Sequence, residues 1–129
     1  MAYYFNKKLR TSFDEAVKKV TEELKKEGFG ILTEIDVKET MKKKLNVDFR
    51  KYKILGACNP PFAHKALELE DKIGTMLPCN VIVQETAEGQ TEVAAIDPVA
   101  SMQAVENPKL TNVADEVRGK LKRVIDNLR

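Results

Sequence analysis

Histidine occurs once in this sequence and cysteine twice, a scarcity that bounds the chemistry before any motif is sought. Two cysteines and one histidine supply at most three soft or borderline ligands. They lack Cys-x-x-Cys or His-x-x-x-His spacing, so a zinc or haem centre requires the fold to gather distant residues. Two cysteines are not a disulfide framework either, and a chain of 129 residues buries a core without such staples. Both read as reduced cytosolic thiols. Charge of one sign is also lacking. Twenty-two Lys and Arg stand against 20 Asp and Glu, a formal net charge of +2, which gives no general electrostatic case for nucleic acid. The basic cluster from Lys38 to Lys53 is either a polyanion site or a solvated helix with its exit loop. No apolar run is long enough to span a bilayer, the first ten residues lack the apolar stretch of a signal peptide, and a cytoplasmic chain is expected. The glycine-containing stretches "EGFG" and "LGACNP" match neither a dinucleotide fingerprint nor a Walker loop. Nor is there an internal repeat or linker, so residues 1–129 read as one domain.

Hydrophobic periodicity supplies the elements. Ala2–Leu9 is aromatic and partly alternating, which predicts a strand. Phe13, Ala16, Val17, Val20 and Leu24 then recur at spacings of three and four, a helical stripe. Ser12 and Glu15 have the spacing of a capping box before it, and Gly28 supplies its stop. "FGILTEIDV" alternates, with Phe29, Ile31, Thr33, Ile35 and Val37 on one face and Gly30, Leu32, Glu34 and Asp36 on the other. A short helix over Lys38–Leu45 follows, then a strand over Tyr52–Cys58 and a helix in "PFAHKALELE". Leu77–Thr86 and Thr91–Pro98 form a hairpin around the tight Ala87–Gln90 turn. "ASMQAVEN" gives a helical turn. The chain closes on a long helix whose stripe includes Leu110, Val113, Ala114, Val117, Leu121, Val124, Ile125 and Leu128. The fold class is therefore α+β, a two-layer α/β sandwich with a largely antiparallel sheet and helices mainly on one face. Leu32, Leu55 and Ile82 are expected on the uncovered face, which favours a homodimer.

Chemistry concentrates where Cys-Asn occurs twice, in "ACNPP" at a strand end and "LPCNV" at a strand start. Antiparallel pairing of those strands puts Cys58 and Cys79 at the same sheet edge, and a right-handed crossover puts them at opposite ends. Every joint role of the thiols depends on the first arrangement. Asn59 reads as a helix N-cap with Pro60 at the first helical position. Pro60 and Pro61 lack N–H groups, so this helix start is a poor phosphate cradle and an indifferent thiolate activator. At about 100° per residue, His64 points roughly 150° away from the Phe62, Ala63, Ala66, Leu67 and Leu69 side. A Cys58–His64 nucleophile pair is thereby strained, and an exposed histidine is the simpler reading. Asp97, ending the apolar "AAI", caps the helical turn beginning at Pro98 unless a partner makes it an acid or base.

The segments "EGFGILTEIDVKETMKKKL", "YKILGACNPPFAHKALE", "IGTMLPCNVIVQE" and "VAAIDP" together resemble the domain-of-unknown-function family 302, almost over the whole chain. The resemblance implies a two-layer α/β protein, is compatible with a homodimer, and carries no activity. It directs attention to Cys58, Asn59, Pro60 and His64, and to Leu77, Pro78, Cys79, Asn80, Asp97 and Pro98. The ligand-binding candidates are Cys58, Asn59, His64, Cys79, Asn80 and Asp97, with no catalytic residue assigned. Three functions compete: a small-molecule or metal-binding module with its pocket between the Cys-Asn corners, a structural or protein-interaction homodimer, and a thiol-dependent enzyme or redox protein.

Overall fold

The computed structural model describes residues 2–87 and 89–129. Chain order is β1 (Tyr4–Leu9), α1 (Phe13–Lys26), β2 (Gly30–Asp36), α2 (Val37–Leu45), β3 (Tyr52–Cys58) and α3 (Pro60–Leu69). A 3-10 segment (Asp71–Met76), β4 (Cys79–Glu85), β5 (Thr91–Ile96), α4 (Pro98–Ser101) and α5 (Leu110–Asp126) follow. Among the described residues, five strands form one antiparallel sheet in the order β1-β5-β4-β3-β2. The expected α+β two-layer architecture is thus the observed one. The expected turn at Ala87–Gln90 includes Glu88, which lies outside the described residues, and β4 and β5 pair on either side of it.

The helices form where their caps and stripes direct. Ser12 Oγ accepts from Glu15 N–H at 3.2 Å to start α1, and Gly28 takes the left-handed backbone (φ +88°) that ends it. The apolar stripes of α1 and α5 bury Val20, Leu24, Leu121 and Val124 against Val81, Val83, Val93 and Ala95 of the sheet. Lys7 Nζ, on β1, donates to the carbonyls of Asp126 and Leu128 at 2.8 and 2.9 Å, satisfying acceptors at the end of α5.

Two expectations about faces need correction. Leu55 is not on the uncovered face: it is 1% exposed, opposite Val81 in the core layer. In β2 the alternation is interrupted at Leu32, where the register slips between Ile31 and Thr33. A bulge inserts one residue and reverses the phase of those after it. Ile31 consequently pairs with Ala57 in the core layer, while Ile35 pairs with Ile54 on the open face. The open face carries a cross-strand row, Ile35–Ile54–Ile82–Ala94, in direct register over four strands.

Candidate functional site

Antiparallel pairing of β3 with β4 brings the two Cys-Asn corners to the same end of the sheet. Cys79 stands opposite Ala57, so Cys58 is one residue past that pair. Both are free thiols, Cys79 buried and Cys58 half-buried. Burial first, then the charge of a neighbouring Cys58 thiolate, pushes the Cys79 thiol up from 9.0 to about 11. Cys79 is therefore a neutral thiol at pH 7 and a weak nucleophile.

The Asn59 corner is built differently from the expected cap. Asn59 occupies the N-cap position of α3, and Ala63 N–H donates to its carbonyl at 2.9 Å, yet its side chain caps nothing. An N-cap side chain bonds the second or third helical N–H. Here the second helical residue is Pro61, which has none, and the third, Phe62, has an N–H that the side chain leaves uncapped. The amide turns instead to the end of α1, where Nδ2 donates to the Glu27 carbonyl at 3.0 Å. Glu27 is itself fixed, its carboxylate accepting from Arg123 of α5 at 3.0 and 3.2 Å. One corner thus ties β3, α1 and α5 together.

Beside this corner lies a cavity of about 290 Å³, walled by the ends of β3 and β4, by α3, and by Val113, Ala114 and Val117 of α5. Cys58, Asn59 and Cys79 line it, with Phe62, Pro78 and Met102. Among the described residues, no Lys, Arg, His, Asp or Glu side chain lines it. Among the described residues, no cluster of three or more His, Cys, Asp or Glu is placed to hold a metal ion.

The other three candidates lie elsewhere. His64 is exposed on α3, its Nε2 3.1 Å from Glu68 Oε1 one turn along. Asn80 faces the open side of the sheet, opposite Gly56, in a shallow depression with Tyr4 and Ile82. Asp97 is 4% exposed and fully engaged. Its Oδ1 accepts from Val99 N–H at 3.0 Å and Ala100 N–H at 3.5 Å, and its Oδ2 from Arg118 Nε at 3.1 Å. That makes Asp97 the cap of α4 and an anchor for α5. The cavity's aliphatic wall escaped sequence reasoning because Val113 and Val117 belong to a stripe that reads wholly as core. Ala114, small among larger neighbours, was the available signal.

A one-faced antiparallel sheet with an apolar cavity at the end of its central strands defines a two-layer α+β protein. The model of the family described as "Domain of unknown function DUF302" matches residues 5–128, and the chain belongs to that family. A solved structure, an uncharacterized conserved DUF302 protein from Bacillus stearothermophilus, is similar at 28% identity and a TM-score of 0.92, over 100% of both chains. No curated protein matches the chain. Among the described residues no helix is long and apolar enough to cross a membrane.

Proposed function

We propose that this protein is a small-molecule-binding module whose site is the cavity between the two Cys-Asn corners. The observation that carries the reading is an apolar space of about 290 Å³ on which β3, β4, α3 and α5 converge. A concave space lined mainly by apolar side chains with a few polar groups is the usual form of a small-molecule site. The weak nucleophilicity of Cys79 supports binding over thiol-dependent catalysis. One sheet carrying all the packed helices supports reading residues 1–129 as one domain, and two free thiols at one site fit a reducing, cytoplasmic setting. The test is a titration with toluene followed by amide chemical shifts in nuclear magnetic resonance. Shifts should concentrate at Ala57, Phe62, Cys79 and Val117 and vanish in Ala63→Leu, which fills the cavity. Scattered shifts, or none, would refute the reading.

The isoleucine row favours a second, compatible property: pairing with another copy through the open face. An antiparallel sheet normally turns a polar face to water, but Ile35, Ile54, Ile82 and Ala94 are contiguous here. Strands of this length at about 4.8 Å spacing make a flat footprint of roughly 500 Å². Tyr3 and Tyr4, 64% and 41% exposed beside it, extend that toward the ~800 Å² per partner of a standard interface. Sedimentation should show a dimer that Ile82→Lys dissociates without loss of secondary structure; a monomer throughout at high concentration would sink the idea.

A further inference from the structure

The cavity is nearly featureless in polarity except at Asn59, and that exception selects among ligands. Asn59 is 8% exposed, and one N–H of its Nδ2 donates to the Glu27 carbonyl, which fixes the amide and leaves Oδ1 and the second N–H for other partners. Oδ1 accepts no hydrogen bond from the described residues. Nor is it sealed away: among the described residues, the buried side-chain polar atom without a partner is Thr11 Oγ1, so Asn59 Oδ1 keeps open surface. Asn59 lines the cavity, so this accessible acceptor is available to a donor from the occupant. The adjacent helix start adds one backbone donor. Pro60 and Pro61 have no N–H, Ala63 N–H is taken by the Asn59 carbonyl, and Phe62 N–H is the first without an acceptor among the described residues. Phe62 borders the same cavity.

Resting on the cavity reading above, we infer that the ligand is an uncharged, mainly apolar alcohol whose hydroxyl is held at the Asn59–Phe62 corner. A hydroxyl meets both demands with a single atom: its O–H donates to Asn59 Oδ1 while its oxygen accepts from Phe62 N–H. A carboxylate suits the corner poorly. It brings no donor for Oδ1, and no cationic side chain is among the lining residues to offset its desolvation. The nearby ammonium, Lys120 Nζ, sits 5.8 Å from the Phe62 ring centroid and 4.0 Å from Glu27 Oε1, outside the lining.

The experiment compares two isomers of one formula, 1-octanol and heptyl methyl ether, with octanoate as the charged counterpart. Affinities are read by chemical-shift titration of the wild type and of Asn59→Ala. The alcohol should bind the wild type roughly tenfold tighter than the ether, the worth of a well-placed hydrogen bond, with octanoate weaker than the alcohol. Asn59→Ala should bind both isomers alike, at about the wild-type ether affinity. Equal wild-type affinities for alcohol and ether, or tighter binding of octanoate, would overturn the inference while leaving the cavity reading intact. Failure of all three, and of toluene, would overturn both. If Asn59→Ala does not fold, the comparison of isomers on the wild type still decides.

Discussion

Raising the pH past the ordinary thiol value titrates Cys79 in the unfolded chain before it titrates Cys79 in the fold. The fold holds this thiol at about 11 instead of 9.0, chiefly because it is buried and secondarily because Cys58 is near. Below about pH 9 the thiol is protonated in both states and the fold carries no penalty. Between about 9 and 11 the unfolded chain releases its proton while the folded chain retains it. Stability therefore falls as pH rises through this window, and the contribution is fully lost above the folded value. Two units at about 1.4 kcal/mol each give a loss of ~3 kcal/mol. Lysines and tyrosines titrate in the same range, so the informative quantity is the difference between wild type and Cys79→Ala. Near neutral pH the variant should be less stable by about 1–2 kcal/mol, from the lost packing of a buried sulfur. That gap should close and reverse toward about pH 11. Urea unfolding in reductant, followed by circular dichroism, measures it at each pH. Parallel curves for the two proteins would mean that the thiol is solvated, and the reasoning from burial would fail.

Other perturbations separate packing from binding. A Cβ at Gly56 would meet Thr33 Oγ1 and come within 2.8 Å of Pro78 Cγ. Gly56→Ala should therefore lose about 1–3 kcal/mol and, because Pro78 lines the cavity, weaken toluene binding; unchanged affinity and melting temperature would show that the wall yields freely. Asp97→Ala removes the α4 cap and the Arg118 contact and should cost ~2 kcal/mol, whereas Asp97→Asn keeps the capping oxygen and should cost less. Equal losses in thermal unfolding would contradict a capping role. His64→Ala should change stability by no more than about 0.5 kcal/mol and leave toluene affinity alone, and an effect on binding would bring the histidine back into the site.

How much of this was legible in sequence depended on whether the signal was local. The α1 and α5 stripes, the Ser12 cap and the Gly28 stop are settled within a few residues, and they stand as read. The β2 bulge is not local, because "ILTEID" alternates well in isolation and only pairing with β3 reveals the slip at Leu32. Leu55 was misplaced for a related reason: its face is set by registry with Val81, which no short window contains. At Asn59 the residue types were right for a cap, and the missing Pro60 and Pro61 donors were visible. What could not be seen was the Glu27 carbonyl, supplied by the end of another helix, that turns the amide away.

That displaced amide and the cavity share a cause. Ala57 is the last core-side residue of β3, Ala63 and Ala66 follow on α3, and Ala114 lies on α5, so small side chains from three elements line the cavity with Cys79. Large residues at these points would fill the space at native density. Two prolines start α3 with its first free N–H at Phe62, and they leave Asn59 with no second helical N–H to cap. The same short stretch therefore withholds volume, removes competing donors and frees one acceptor. In a purely structural corner the unfilled volume and the unpaired acceptor would bring no gain, whereas a bound alcohol would turn both to use.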